Sequence, residues 1–230
     1  MRRMRYAVAG GLIGVGAPAG LLCVRLMRQG FSFGSVSREM DADRDTYIYY
    51  PHTAEVPEAA APNIRGRSFK LLAEVEIESA DAEGVIFAQG GRFGGHALFL
   101  KDRRAHYVYN FLGVPPEQLF SSEELAPGRY VIGMDFAKEG VGEHNEATGT
   151  TRLHVDDKVV AEGSMRTQVG TFTLCGDGLC VGRDSSDAVS SAYESPADLT
   201  GASVRQVEIN LSDDQYIDLE QDAMAALARE

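Results

Sequence analysis

The sequence has little positive charge, few cysteines and no nucleotide-binding motif, and each shortage excludes a class of protein. Its 22 lysines and arginines face 34 aspartates and glutamates, which gives a formal net charge of −12. Five of those arginines lie in the first 28 residues, which hold no acid, so the remainder carries 17 basic against 34 acidic residues. Nucleic-acid binding needs clustered Lys or Arg to displace counterions, so we predict no nucleic-acid partner.

The three cysteines and five histidines are too scattered to predict a metal site. No two cysteines stand two residues apart and no two histidines have the four-residue spacing of a helix face, whereas a zinc site needs three or four convergent ligands. We therefore predict neither a metal nor a cofactor. Cys175 and Cys180 bracket a short turn, and they form either a disulfide in an exported domain or two buried thiols in the cytosol.

The glycine-rich stretch GGRFGG, residues 90–95, is the nearest approach to a phosphate loop. It lacks the Gly-Lys-Ser/Thr ending, and it lies between two strand patterns rather than before a helix that would bind an anion. We interpret it as a close backbone approach or a bulge at a corner of the sheet. Alternation in the strand that follows predicts one packed face, made of Ala105, Tyr107, Tyr109 and Phe111.

The first 28 residues have a pattern typical of membrane targeting. MRRMR precedes an apolar run of 18 uncharged residues, Ala7–Val24, which further arginines close. An uncleaved anchor through residues 6–27 and a signal peptide cut after Ala17-Pro18-Ala19 both stay open, and we favour the anchor. We therefore predict a membrane-anchored or exported protein with its main domain in the periplasm or outside the cell, although a cytoplasmic location stays open.

Residues 29–62 are rich in charge, alanine and proline, which predicts a tether before a main domain over residues 63–230. From Ser68 the period changes to that of strands, and Phe69 to Ile77 alternate apolar with polar residues. Asp156-Asp157 predicts a tight hairpin, and a second turn is predicted between TFTLC and LCVGR. Further strands are predicted over residues 84–89, 97–101, 105–112, 129–136 and 203–212.

Strands at this spacing, with no helical pattern between them, indicate an all-β antiparallel jelly-roll sandwich. Only the end differs, because YIDLEQDAMAALARE has the apolar spacing of a short closing amphipathic helix. Glu74, Glu76 and Glu78 share one face of one strand. We interpret them as a solvated face rather than as the paired carboxylates of a glycosidase.

Four segments between Tyr49 and Glu230 resemble, in order, the C-terminal part of large bacterial arylsulfatases. The resemblance implies an accessory β-sandwich of the concanavalin A-like, laminin G-like type, which in those enzymes follows an alkaline-phosphatase-like catalytic domain. The segments are YYPHTAEVPEAAAPNIRGRSF, AEGVIFAQGGRFGGHALFLKDRRAHYVYNFLG, ATGTTRLHVDDKVVAEGSMRTQVGTFTLCGDGLCVGRD and YIDLEQDAMAALARE.

The catalytic machinery of that family is missing from this chain. Those sulfatases use a formylglycine made within a C/S-x-P-x-R motif, and no proline here has Cys or Ser two residues before it with Arg two after. We therefore predict no catalytic residue and a binding or structural role. Two alternatives stay open: an accessory part of a sulfuric ester hydrolase acting with a separately encoded catalytic domain, and an extracytoplasmic sensor, since the leader resembles the first membrane segment of bacterial signalling proteins.

Candidate ligand-binding residues are sought in loops at the sandwich rim, where folds of this class hold carbohydrate or partner proteins. A structural role is open for each of them, because Arg92 can pair with an acid and Arg183-Asp184 can form a turn pair. The candidates are Arg92, His96, Arg183 and Asp184. The predicted partners are thus a carbohydrate or a sulfatase catalytic domain.

Overall fold

The structure is a computed structural model in which two predicted helices lie outside the described residues. These are the N-terminal membrane helix and the C-terminal amphipathic helix. All described residues belong to one compact unit, which begins at Arg44. No helix within that part of the chain is long and apolar enough to cross a membrane. The structure describes residues 45–114, 118–170, 173–174, 178–185 and 187–211.

Among the described residues, antiparallel strands make up nearly all the regular structure, as predicted, with one short 3₁₀ turn at Glu58–Ala60. The strands are β1 (Thr46–Tyr49), β2 (Phe69–Ile77), β3 (Gly84–Gly91), β4 (Gly94–Lys101), β5 (Arg104–Asn110), β6 (Gln118–Glu124), β7 (Gly128–Val141), β8 (Ala147–Val155), β9 (Lys158–Thr167), β10 (Leu179–Val181), β11 (Arg183–Asp184), β12 (Ala197–Asp198) and β13 (Ala202–Leu211).

Two sheets face each other across one core, so the antiparallel sandwich is confirmed. The six-stranded sheet has the order β1-β13-β2-β7-β8-β9, and the five-stranded sheet has the order β10-β3-β4-β5-β6. The last strand, β13, lies between β1 and β2, which brings the two ends of the described chain side by side. β11 and β12 form a separate two-stranded ladder that contacts β3.

The two sheets differ in how many of their faces are buried. In β2 the burial alternates, so the apolar residues of Phe69–Ile77 face the core and the others face outward. In β3 and β4 nearly every residue is buried. The reason is a segment, residues 187–198, which we call the strap. Val189 and Tyr193 of the strap pack on the outer face of the five-stranded sheet, where Phe99 lies.

The face predicted to pack in β5 does so. Ala105, Tyr107 and Tyr109 are fully buried in the main core, and Phe111 packs against its edge. Aromatic rings of this size supply much of the apolar area that a sandwich core buries. Other large side chains that are fully buried include Ile64, Leu71, Ile86, Phe87, Leu98, Phe99, Leu100, Ile132, Met134 and Phe136.

The sandwich begins earlier than the boundary predicted at residue 63. Thr46–Tyr49 pairs with β13 as an edge strand, so part of the predicted tether belongs to the sheet. Glu55, also in the predicted tether, accepts hydrogen bonds from the backbone of Gly178 and the hydroxyl of Ser185. The charged residues and prolines of this stretch are typical of a linker. Its order comes from pairing with β13, which is distant in sequence.

Strand β6 was not predicted, because its sequence QLFSSEE is mostly polar and does not alternate apolar with polar residues. It is the edge strand of the five-stranded sheet, with Phe120 turned to the core and Leu119 exposed. Polar and charged residues are common on edge strands, which must not pair with other chains.

The predicted hairpin between TFTLC and LCVGR is wrong. Thr173 and Leu174 are not in a strand, and β10 pairs with β3 while Leu179 also bridges to Val56. All three residues of β10 are buried, as expected for a strand that belongs to the five-stranded sheet rather than to an exposed hairpin. Cys175 lies outside the described residues, and the buried Cys180 has its Sγ atom 3.3 Å from Ser185 Oγ. The disulfide stays a prediction.

The glycine-rich stretch is the hairpin that joins β3 to β4, with Arg92 and Phe93 at its tip. Gly90 has a φ of +84°, and a Cβ atom there would lie 2.4 Å from the carbonyl oxygen of Gly94. The close backbone approach predicted for this stretch is therefore real, and it aims Arg92 and Phe93 out of the sheet.

We expect Gly90→Ala to lower the free energy of unfolding by about 1–3 kcal/mol from backbone strain alone. Gly140→Ala is the matched control, because Gly140 lies in β7 and a Cβ atom there would meet nothing closer than 3.5 Å. Urea denaturation of both variants measures the difference. Equal stability of the two would contradict the strain.

Candidate functional site

A groove of about 780 Å³ runs between the β3–β4 hairpin, the loop after β5 and the strap. It is open to solvent on the outer side of the five-stranded sheet and is floored by side chains that hold the strap. The lining residues that the site depends on are Arg92, Asn110, Gly113, Asp187, Tyr193 and Glu194.

Arg92 and Asp187 form an ion pair across one end of the groove. The Nε atom of Arg92 donates at 2.8 Å to both carboxylate oxygens, and its Nη2 atom lies 2.5 Å from Oδ1. The backbone N–H of Arg92 donates to Oδ2 at 3.3 Å. Hydrogen bonds from Arg92 hold the pKa of Asp187 below its usual range, and those to Asp187 raise the pKa of Arg92.

Three hydrogen bonds anchor the strap, two of them from the five-stranded sheet below it and one to β11. Asn110 Nδ2 donates to the carbonyl of Val189 at 2.8 Å, and Lys101 Nζ donates to that of Ala192 at 2.6 Å. The hydroxyl of Tyr193 donates to Asp184 Oδ2 at 2.6 Å. Since Lys101, Asn110 and Asp184 lie in three different strands, the strap is held along its length.

An aromatic ring borders the polar groove. Phe93 is 63% exposed at the hairpin tip, the largest exposed fraction among the large apolar side chains of the described residues. A Cβ atom on Gly113 would lie 3.0 Å from the Phe93 ring, so the ring rests against a residue that lines the groove. Leu112 and Val114, on the same loop as Gly113, are also exposed. The groove thus has polar walls and an apolar edge.

The structure places the predicted candidates at different depths. Arg92 lines the groove, as an exposed residue paired with an acid. Asp184 is buried and anchors Tyr193, so it supports the groove from below. Arg183 donates from Nη2 to the carbonyl of Thr53 at 3.1 Å and does not line the groove. The interpretation of Arg183-Asp184 as a turn pair is replaced by a ladder with β12.

His96 is not at the rim. It is fully buried in the core between the two sheets, within 6.0 Å, centroid to centroid, of the rings of Phe69, Phe87 and Tyr107. It follows the hairpin directly in sequence, but β4 turns its side chain inward. His96 does not line the groove.

A chain of hydrogen bonds fixes the protonation of His96. The carbonyl of Pro62 can only accept, so Gln89 Nε2 donates to it at 3.2 Å, which leaves Gln89 Oε1 to accept from His96 Nε2 at 3.1 Å. His96 Nδ1 then accepts from the Tyr107 hydroxyl, 3.2 Å away. Burial lowers the pKa of His96 to about 3, so the ring is neutral at physiological pH.

Asp187, Asn110, Tyr193 and Phe93 were missed from the sequence. Phe93 alone had a signal, because an aromatic residue flanked by glycines at a turn has no core to enter. The strap residues have neither strand nor helix periodicity, and the pairing of Arg92 with Asp187 spans 95 positions.

The outer face of the six-stranded sheet carries a second groove of about 530 Å³. Its glutamates are paired, since Glu74 contacts Arg205 at 3.2 Å and Glu76 contacts Arg129 at 3.2 Å. This agrees with a solvated face. In the described ranges no three His, Cys, Asp or Glu residues converge as metal ligands would.

The sequence matches no protein-family model and no curated protein significantly. Among solved structures, the chain is similar to the CBM40 module of Ruminococcus gnavus IT-sialidase bound to alpha2,3 sialyllactose, with 11% identity over 76% of this chain and 96% of that chain and a TM-score of 0.44. It is also similar to mouse laminin alpha1 chain domains LG4-5, with 12% identity, coverages of 76% and 42% and a TM-score of 0.37. Such distant likenesses assign no ligand.

His96 makes stability depend on pH in a direction that can be tested. Its folded pKa of about 3 is below the ordinary value of 6.5, so below pH 6.5 the unfolded chain binds a proton that the folded chain does not. This residue therefore lowers the free energy of unfolding by about 1.4 kcal/mol per pH unit as the pH falls from 6.5 toward 3.

We expect urea denaturation between pH 7 and 5 to show a shallower pH slope for His96→Gln than for the wild type, by close to one proton. His52→Gln is the control, because His52 is exposed and its removal leaves the buried chain intact. Parallel slopes for His96→Gln and the wild type would contradict a lowered pKa of His96 in the folded chain.

Proposed function

We propose that this domain is a non-catalytic carbohydrate-binding module whose ligand lies in the groove between the β3–β4 hairpin and the strap. The observation that carries the proposal is the exposed Phe93 ring beside an ordered polar wall made by Arg92 and Asp187. A sugar has the two kinds of surface that this arrangement fits.

One surface of a sugar ring is a face of C–H groups. The face of an aromatic ring is negative, so it attracts the weakly positive hydrogens of such C–H groups while both surfaces leave water. Phe93 offers such a face at the edge of the groove, with Gly113 against the ring and the guanidinium carbon of Arg92 5.8 Å from the ring centroid. Leu112 and Val114 extend the apolar edge beside it.

The other surface of a sugar is its hydroxyl rim, where each group both donates and accepts. Arg92 has donors only, whereas the carboxylates of Asp187 and Glu194 accept, so the groove presents both partners. Binding sites of this kind combine apolar contact with a few placed polar groups. The groove has that composition.

The polar wall is held in place before a ligand arrives. Asp187 is positioned by Arg92, and the strap that carries it is anchored through Asn110, Lys101 and Asp184. A site whose side chains are already ordered loses less conformational entropy on binding. This supports recognition of a weakly interacting ligand such as a neutral oligosaccharide.

The finer classification rests on the topology and the sequence. We propose the concanavalin A-like, laminin G-like jelly roll because the first and last strands are neighbours in the larger sheet, in an antiparallel sandwich. Relation to the arylsulfatase C-terminal domain, and membrane anchoring or export through residues 1–28, are proposals from the sequence alone.

We expect Phe93→Ala in the full chain to weaken binding of a neutral oligosaccharide at least about tenfold, since truncating an aromatic anchor costs more than about 1.4 kcal/mol. Val159→Ala is the matched control, because Val159 is also exposed but lies on β9 of the other sheet. Titration calorimetry with hexaoses of glucose, mannose, galactose and N-acetylglucosamine measures both.

Neither substitution should change the melting temperature, because both side chains are largely exposed. Equal affinity of the Phe93→Ala and Val159→Ala variants would remove Phe93 from the site. A wild-type chain that binds none of the four neutral hexaoses, and no acidic oligosaccharide either, would overturn the proposed function.

The resemblance to arylsulfatases favours a second function, as an accessory part of a sulfuric ester hydrolase that acts with a separately encoded catalytic domain. We expect the purified chain to release no product from 4-nitrophenyl sulfate, because the formylglycine motif is missing. Mixed with a sulfatase catalytic domain from the same source, it should raise the rate. An unchanged rate in the mixture would exclude this accessory function.

A further inference from the structure

We infer that the groove selects uncharged sugars over acidic ones, and that Asp187 is the residue that sets this selectivity. The inference rests on the proposed function, because it names the class of ligand that the same groove takes. It follows from how the charge of Arg92 is used in the structure.

Among the described residues that line the groove, Arg92 is the only cation, and the carboxylate of Asp187 compensates its charge. Its guanidinium lies 2.5–2.8 Å from the carboxylate of Asp187, and the contact involves both carboxylate oxygens. Glu194 adds a second carboxylate to the lining. The formal charge of these three side chains together is negative, so an acidic ligand finds no net attraction.

The geometry of the ion pair leads to the same conclusion. A carboxylate or sulfate is recognised best by two parallel N–H groups on one edge of a guanidinium. The edge formed by Nε and Nη2 of Arg92 is occupied by Asp187. The remaining N–H groups can still donate to a hydroxyl, and Asp187 can accept from one, so the pair as a whole suits neutral hydroxyl groups.

The surroundings do not reverse this preference. Beyond the first 28 residues the chain has 17 basic against 34 acidic residues, so the average field around the domain repels anions. An acidic sugar therefore has to overcome both the local carboxylates and the net charge. Only removal of the Asp187 charge would release Arg92 for an anionic partner.

Asp187→Asn tests the assignment, because asparagine keeps the size of the side chain and loses its charge. We expect the full-length variant to bind trigalacturonate at least about tenfold more tightly than the wild type does, by exposing an uncompensated guanidinium. Its affinity for the neutral hexaose that the wild type binds best should change less than threefold. Titration calorimetry at low ionic strength measures both ligands.

Glu124→Gln is the matched control for net charge. Glu124 pairs with Arg103 and Arg104 on the surface and does not line the groove, so this variant changes the charge equally and leaves Arg92 compensated. It should not gain affinity for trigalacturonate. The double variant Arg92→Gln/Asp187→Asn should lose the gain, because the released cation is gone.

A second measurement uses the salt dependence of binding. Binding of the neutral hexaose by the wild type should be nearly independent of sodium chloride between 20 and 500 mM, whereas binding of trigalacturonate by Asp187→Asn should weaken as salt screens the new ion pair. Salt-independent binding of trigalacturonate by Asp187→Asn would count against the released guanidinium.

The remaining outcomes separate the two proposals. Wild-type chain that binds trigalacturonate as tightly as the neutral hexaoses overturns the selectivity and leaves carbohydrate binding intact. A folded Asp187→Asn chain that binds the neutral hexaose but gains nothing for trigalacturonate overturns the role of Asp187. Absence of binding to every sugar by both chains overturns the proposed function and the inference with it.

Discussion

The outer face of the five-stranded sheet is apolar, and the candidate site exists because that face has to be covered. Val85, Ala88, Ala97, Phe99 and Val108 project away from the main core and would meet water without the strap. Burying such a face is favourable in proportion to its apolar area.

The backbone of the strap is polar, so covering the sheet would leave its carbonyl groups buried without hydrogen-bond donors. Its carbonyl groups need donors, and Asn110 and Lys101 supply them. The groove is the space left where the anchored strap meets the hairpin tip.

A second constraint acts on the inside of the same sheet. Gln89, His96 and Tyr107 are polar side chains in a core of aliphatic and aromatic residues, and an unsatisfied polar atom there would cost about 1–3 kcal/mol. They satisfy one another in a directed chain that starts at the carbonyl of Pro62. Because Gln89 and His96 flank the β3–β4 hairpin, the chain also ties its base to the core. The tip that carries Arg92 and Phe93 therefore projects from a rigid support.

These two constraints explain which features the sequence could predict. Alternation in β2, the Asp156-Asp157 turn and the packed face of β5 depend on local periodicity, and the structure confirms them. Strands β1 and β6 lack that periodicity, since both are edge strands whose order comes from long-range pairing. The sequence predicts His96 at the rim because it follows the glycine-rich corner, whereas its depth depends on which face of β4 it occupies. The strap has no regular structure to predict apart from the two residues of β12 at its end, and the groove depends on it.

The chemical character of the groove depends on pairing rather than on composition. An exposed arginine in a loop predicts recognition of an anion when it is considered alone, because guanidinium is a permanent cation with forked donors. The contact with Asp187 reverses that expectation, since it compensates the charge and occupies one edge of the fork. Hydrogen bonds from Arg92 keep the pKa of Asp187 low, so the compensation persists across the physiological pH range. The two residues thus act as one neutral unit with donors and an acceptor, and a unit of that kind distinguishes hydroxyl groups from charged groups.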